Sequence, residues 1–233
     1  MKILIIRHGD PDYALDSLTE KGFREANFLA QRLKDTAIDD FYCSPLGRAK
    51  ATAAPTLEAH GKSAETLNWL EEFRGRIISP FTNKERIAWD IAPSILCSDK
   101  RHYDIDECYT PELFANGNSK AIYEETSKGI DKLLEKYGWK RHGMGYTGGE
   151  DKTIALFCHL GLGMIIVAYL LGISPVVAQN NFFLAPTSVT TLVTETDMTG
   201  FSHFRAVAVG DTSHLYAAEE PMSLSGLHPE FNK

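Results

Sequence analysis

The chain has 233 residues, of which 43% are hydrophobic, so it can bury the core of one sizeable domain. Its formal net charge of −7 argues against nucleic acid or an acidic membrane surface as the main partner. The four cysteines show neither CxxC nor Cys/His zinc spacing, and Cys43 and Cys158 lie in apolar runs. We therefore expect buried, reduced thiols in a cytoplasmic protein with no signal peptide and no membrane span.

The first 75 residues alternate between strand-like and helix-like segments. The chain opens with KILII, an unbroken apolar run that is typical of a strand buried on both faces. Thr19 is the expected N-cap of the first helix, Ser44 with Pro45 predicts the start of the second, and Gly61 its end. The predicted strands are 2–6, 38–43 and 64–70, and the predicted helices lie within 18–35 and 44–61. This alternation predicts a parallel sheet covered by helices.

The regular pattern stops between residues 76 and 149, which are rich in Trp, Tyr, His and charged residues. One helix is predicted there, over Ser119–Tyr137, and we interpret 76–149 as an inserted helical cap. After it come a buried strand (152–158), a hydrophobic helix and two closing strands, and 211–233 is expected to be a surface tail. Residues 1–233 would then form a single α/β domain with an inserted cap.

Polar residues follow several of the predicted strands, at the point where each strand ends. They are Arg7 and His8 after the first strand, Arg48 in the first turn of the second helix, Glu71 and Glu72 after the third strand, and His159 after 152–158. Taken singly, each could be a solvated or capping residue. Because the ends of parallel strands meet at one edge of a sheet, we expect them to form one site. Two arginines, two histidines and a helix N-terminus suit a phosphoryl group.

The motifs that carry these residues resemble the histidine phosphatase superfamily. They are RHG after the first strand, LTEKG, SPLGRAKATA, WLEEF, and a histidine at the end of a later strand. The resemblance is to the branch of the phosphoglycerate mutases and related phosphatases, branch 1. The acid phosphatase branch would show RHGxRxP and His-Asp, where this chain has RHGDPDY and His159-Leu160. The resemblance implies a three-layer α/β/α sandwich with a mostly parallel sheet, and it does not cover the insert or the tail.

The resemblance also implies a role for each residue of the site. His8 would attack phosphorus and form a phosphohistidine. The phosphoryl group would be held by Arg7, Gly9, Arg48, His159 and Leu160. Spacing from Leu70 selects Glu72 as the general acid, whereas spacing back from Gly75 selects Glu71, so both stay open. No metal and no cofactor would be required, because cationic side chains neutralise the transferring group.

The sequence leaves three functions open. The mutases carry RHGExxxN, but Ala14 stands at the asparagine position here, and the segment after WLEEFRG lacks their arginine-rich substrate segment. These differences favour hydrolysis of a small phosphomonoester metabolite, with a mutase-type phosphotransferase as the alternative and a non-catalytic phosphate-binding module as the third reading. The basic triplets 100–102 and 140–142 are candidates for substrate contacts. Self-association into a homodimer is left open.

Overall fold

A computed structural model of the chain describes residues 1–227. The strands are β1 (Lys2–Arg7), β2 (Pro11–Asp12), β3 (Ser17–Leu18), β4 (Asp40–Cys43), β5 (Ala64–Thr66), β6 (Arg76–Ile78), β7 (Glu85–Ile87), β8 (Trp139–His142), β9 (Gly145–Gly148), β10 (Thr153–Cys158), β11 (Val189–Thr196) and β12 (Phe201–Asp211). The α-helices are α1 (Glu20–Leu33), α2 (Gly47–His60), α3 (Pro93–Leu96), α4 (Ser119–Glu135), α5 (Leu160–Leu171), α6 (Pro175–Asn181) and α7 (Ser213–Ala217). Short 3₁₀ turns lie at Asn68–Leu70, Lys100–Tyr103 and Glu112–Phe114.

Within the described residues, eight strands form the central sheet in the order β5-β4-β10-β1-β11-β12-β9-β8. The neighbours from β5 to β1 pair in parallel, and the neighbours from β1 to β8 pair antiparallel. Strands β11 and β9 therefore run opposite to the other six. The sheet is mixed but mostly parallel in direction, which confirms the predicted α/β class.

Strand β1 is buried on both faces of the sheet. Ile3 and Ile5 pack in one apolar cluster together with α4 and α5, while Leu4 and Ile6 pack in a second cluster with α1 and α2. Helices thus cover both faces, which explains the unbroken apolar run KILII. The arrangement is the predicted three-layer sandwich.

The predicted helix ends agree with the structure in part. The Thr19 hydroxyl accepts from the Gly22 N–H, so Thr19 is the N-cap of α1 as predicted, and Gly61 ends α2 in the left-handed conformation. The predicted start of α2 at Ser44 is wrong, because Leu46 is the N-cap and the Ser44 side chain bonds His159 instead. The predicted strand 64–70 is shorter in the structure, since β5 ends at Thr66.

The segment 76–149 differs from a purely helical cap. It contains α4 and the small β6–β7 hairpin, but Trp139–His142 and Gly145–Gly148 extend the central sheet as β8 and β9. Both strands have only four residues and β9 has a glycine at each end, so the sequence shows little strand pattern here. The division into one α/β domain with a cap stays a prediction.

The predicted tail 211–233 begins within β12 and continues through α7. Its segment 219–227 contacts α1 through Glu220 and the end of β1 through the Ser225 carbonyl. Residues 228–233 lie outside the described part. No helix among residues 1–227 has the length and apolar character needed to cross a bilayer.

Candidate active site

The ends of β1 and β10 bring the two predicted histidines together. The strands are parallel neighbours with Arg7 opposite Cys158, so His8 and His159 leave the sheet side by side. Their ring centroids are 5.1 Å apart, and both side chains are buried. The positive charges of Arg7 and Arg48 act on both imidazoles and on the Glu72 carboxyl. The structure therefore places these five predicted residues in one site.

The Arg7 guanidinium is held by two backbone carbonyls. Its Nη1 donates to the Leu184 carbonyl at 2.5 Å and its Nη2 to the Ser225 carbonyl at 2.8 Å. Burial lowers the pKa of Arg7 from its usual value, but an arginine stays charged at neutral pH. Its Nε is buried and has no hydrogen-bond partner in the described chain. Arg7 is thus fixed in orientation, with its Nε–H left unpaired in the described chain.

His8 is oriented by its neighbour in the chain. Its Nδ1–H donates to the Gly9 carbonyl at 2.7 Å, which places the lone pair of the neutral ring on Nε2. Burial, and after it the charge of Arg7, lowers the pKa of His8 to about 3. The ring is therefore neutral near pH 7, as a nucleophile must be.

Gly9 has no free backbone group for phosphate. Its N–H donates to the Thr52 hydroxyl at 2.9 Å, and its carbonyl accepts from His8. A Cβ atom at this position would lie 2.8 Å from the Gly22 carbonyl oxygen, so only glycine fits. In the described chain Gly9 orients His8, and phosphate binding by Gly9 stays a prediction.

Arg48 is held by an acid from the β2–β3 connection. Its Nη1 donates to Asp16 Oδ1 at 2.6 Å, and the other oxygen of Asp16 accepts from the Gly47 N–H at 2.7 Å. The Tyr13 ring lies 5.5 Å from the guanidinium carbon. The Nε of Arg48 is buried without a partner in the described chain. Like Arg7, Arg48 is therefore held in place by the protein while its Nε–H stays unpaired in the described chain.

His159 contacts a serine from the end of β4. Its Nε2 lies 2.7 Å from the Ser44 hydroxyl, and its Nδ1 is buried with no partner among residues 1–227. Burial, followed by the influence of His8, Arg48 and Arg7, holds the pKa of His159 well below its usual value. Leu160 is the first residue of α5, where backbone N–H groups have no partner within the helix.

The unpaired nitrogens of this site form a pattern. Arg7 Nε, Arg48 Nε and His159 Nδ1 are all buried and unpaired in the described chain, while the other nitrogens of Arg7 and His159 are bonded to protein atoms. Buried polar groups without partners are costly and rare in native proteins. Three of them on adjacent cationic or imidazole side chains indicate a site for an anion with several oxygens.

The two candidate acids have different surroundings. Glu72 Oε1 accepts from the Phe73 N–H at 2.8 Å and from the Leu162 N–H, in the first turn of α5, at 3.0 Å. Burial raises the pKa of Glu72, although these amides and the two arginines oppose it. Glu71 instead forms an ion pair with Arg74, whose side chain is largely exposed. The geometry favours Glu72 as the acid that faces the site.

The C-terminal segment also reaches the site, which the sequence analysis missed. Besides the Ser225 carbonyl on Arg7, the Ser223 hydroxyl donates to Asp10 Oδ1 at 2.5 Å. Glu220 anchors the segment to α1 through Lys21 at 3.0 Å and Arg24 at 3.0 Å. The segment therefore helps to orient Arg7, although its composition suggested a surface tail.

The arginines of the basic triplets 100–102 and 140–142 bind other groups of the protein. Arg101 pairs with Asp99 at 2.6 Å, and Arg141 donates to Asp131 and to the Tyr169 carbonyl. Within residues 1–227 no group of three or more His, Cys, Asp or Glu side chains is arranged to hold a metal ion.

Comparison with known proteins shows what the chain around this site is similar to. The family model of the histidine phosphatase superfamily (branch 1) matches residues 3–93, which include Arg7, His8, Arg48 and Glu72. Residues 3–93 are therefore similar to this superfamily. The match contains the RHG and SPLGRA motifs, and the geometry adds His159 from outside the matched range.

Two curated proteins align with different parts of the chain. A 2,3-bisphosphoglycerate-dependent phosphoglycerate mutase from Thermoplasma acidophilum is 37% identical over 99 residues, 36% of this chain and 50% of the mutase. The chain thus spans half the length of that relative. A probable phosphatase from Schizosaccharomyces pombe is 24% identical over 233 residues, 94% of this chain and 97% of the relative.

Solved structures of several phosphatases share the fold. The phosphoserine phosphatase of Entamoeba histolytica superposes with a TM-score of 0.63 at 24% identity, over 92% of this chain and 98% of that one. A mycobacterial glucosyl-3-phosphoglycerate phosphatase has a TM-score of 0.61 at 19% identity, over 90% and 98%. At these identities the likeness shows the fold alone.

Proposed function

We propose that the chain is a metal-independent phosphomonoester hydrolase that acts through a phosphohistidine on a small phosphorylated metabolite. The observation that carries the proposal is the set of buried, unpaired nitrogens on Arg7, Arg48 and His159 next to the neutral ring of His8. A phosphoryl group supplies the acceptor oxygens that these nitrogens lack, and it places phosphorus within reach of a nucleophile.

In the first step, His8 Nε2 attacks phosphorus and forms a P–N bond while the P–O bond to the leaving group breaks. The electron pair of that bond stays on the leaving oxygen, which takes a proton from Glu72. The two arginines and His159 stabilise charge on the phosphoryl oxygens, and the free N–H of Leu160 adds a donor. Glu72 Oε1 is occupied by two amides, which leaves Oε2 to carry the proton.

In the second step, Glu72 takes a proton from water as the water attacks phosphorus. The P–N bond breaks, its electron pair returns to Nε2, and inorganic phosphate leaves. Both steps use charges supplied by the protein, so the proposal requires no metal.

Hydrolysis is favoured over phosphoryl transfer between substrates. A mutase must retain its product and so needs further cationic contacts. At this site Arg48 Nη1 is already paired with Asp16, and the nearby Arg74 is paired with Glu71. The second candidate, a phosphoglycerate mutase, is supported by the 37% identity to the mutase over 99 residues.

The test is a phosphate-release screen over sugar phosphates, phosphoglycerates, phosphoserine, glucosyl-3-phosphoglycerate, nucleotides and phosphopeptides, with and without EDTA. We expect EDTA-resistant release from at least one small phosphomonoester, and loss of that activity in His8→Ala. His60→Ala is the control, because His60 lies at the far end of α2 from Arg48. Interconversion of phosphoglycerates with 2,3-bisphosphoglycerate and no net phosphate release would favour the mutase. Activity that needs magnesium would contradict the proposal.

A further inference from the structure

The interaction between Ser44 and His159 is not used by the proposed mechanism, and it concerns the position of a proton. His159 presents Nε2 to the Ser44 hydroxyl at 2.7 Å, and its Nδ1 is buried without a hydrogen-bond partner in the described chain. Nδ1 is therefore the nitrogen left to contact a bound phosphoryl group. A neutral imidazole carries one proton, on either nitrogen. Only the form with the proton on Nδ1 can donate a hydrogen bond to a phosphoryl oxygen.

The surroundings of Ser44 decide the direction of its hydrogen bond. Ser44 is fully buried, and its oxygen already accepts from the Leu46 N–H at 3.3 Å. The proton of the hydroxyl has no other acceptor among the described hydrogen bonds, so it is directed at His159 Nε2. The charges of Arg7 and Arg48 act on the imidazole, and they would repel the positive charge that a second proton would give it. A neutral ring that accepts at Nε2 must hold its proton on Nδ1.

We propose that Ser44 is a positioning residue that holds neutral His159 in the tautomer with the proton on Nδ1. In the opposite tautomer a lone pair on Nδ1 would face the phosphoryl oxygens and repel them. The inference rests on the proposed function, because His159 is useful as a donor only if a phosphoryl group binds. It gives the serine of SPLGRA a role in the site, since Leu46 and not Ser44 caps α2.

The experiment combines tautomer analysis with kinetics on three variants. Nitrogen-15 NMR of histidine-labelled protein without phosphate identifies which imidazole nitrogen of His159 is protonated, with His159→Gln for assignment. Ser44→Ala removes the hydroxyl, and Ser44→Thr keeps it. Ser119→Ala is the matched control, because Ser119 is also buried but its hydroxyl has no partner in the described chain.

In the wild type we expect the His159 signal of a protonated Nδ1 and an unprotonated Nε2. Ser44→Ala should give a mixture of tautomers and lower kcat/KM by about 10- to 100-fold, by analogy with the loss of the hydrogen-bond partner of a metal-bound histidine. Ser44→Thr should restore the tautomer and most of the activity, and Ser119→Ala should change neither.

A wild-type His159 protonated on Nε2 overturns the proposal, even if Ser44→Ala fails to fold. Full activity in Ser44→Ala beside an inactive His159→Gln would also overturn it and leave the proposed function intact. If the wild type releases no phosphate from any substrate, the proposed function fails, and the NMR result still decides the tautomer.

Discussion

Replacement of Glu72 by glutamine tests the assignment of the general acid. Glu72 Oε1 accepts two backbone N–H groups, and the amide oxygen of a glutamine can accept the same two. Glu72→Gln should therefore keep the loop in place and remove only the transferable proton. General acid catalysis contributes roughly 10²–10⁴-fold, which is about 3–5 kcal/mol in the activation barrier.

The loss should depend on the leaving group. An alkoxide needs a proton to leave, whereas a nitrophenolate leaves almost unaided. We expect kcat of Glu72→Gln to fall by that factor on an alkyl phosphate and much less on para-nitrophenyl phosphate. Glu71→Gln is the control, because Glu71 is paired with Arg74, and it should change both rates little.

The pH dependence gives a second test of Glu72. Burial raises its pKa, so Glu72 keeps its proton to a higher pH than an exposed carboxyl does, and the rate on the alkyl phosphate should fall as pH rises through that pKa. The Glu72→Gln profile should lack this fall. Equal losses on both substrates, or a larger effect of Glu71→Gln, would refute the assignment.

Two further predictions concern buried and anchoring carboxylates. Burial raises the pKa of Glu25 to about 7 from 4.5, so the folded state binds more protons between these values and stability falls as pH rises from 4.5 to 7. Glu25→Gln should remove this fall. The difference in unfolding free energy between the variant and the wild type should favour the variant by up to about 3 kcal/mol more at pH 8 than at pH 4. Denaturant curves in which the two proteins differ by the same amount at both pH values would contradict the prediction. Glu220→Gln should weaken the anchoring of 219–227 to Lys21 and reduce phosphate affinity about two- to fivefold at low salt, the range of exposed ion pairs. Glu219→Gln is its control, and equal phosphate affinities of the two variants in calorimetry would show that this anchor does not matter to the site.

The strands at the centre of the sheet could be predicted from the sequence. KILII and KTIALFC are short, mostly apolar runs without alternation, which is the pattern of a strand covered on both faces. Arg7, His8 and His159 come at the ends of these runs, so parallel pairing was enough to bring them together. The site was predictable to that extent because it depends on sheet topology.

The groups that orient these residues were not predictable in the same way. Asp16 precedes Arg48 by 32 positions and Ser225 follows Arg7 by 218, and no local pattern connects such pairs. Ser44 matched a helix N-cap signal, but tertiary packing gave its hydroxyl to His159. Glu71 and Glu72 are adjacent, so the choice depends on the path of the backbone after Leu70. Strands β8 and β9 were missed because both are short, and they become strands only when β9 pairs with β12 and β8 pairs with β9.

The central claim is that phosphate passes through a covalent bond to His8. Rapid acid-free quenching of the enzyme during turnover of a phosphorus-32-labelled phosphomonoester, followed by peptide mapping, tests it most directly. The account predicts base-stable, acid-labile label on the peptide that contains His8, with none in His8→Ala and normal labelling in the His60→Ala control. Steady turnover by the wild type with no labelled protein at any quench time, or a His8→Ala variant that still hydrolyses the substrate at the wild-type rate, would contradict the account.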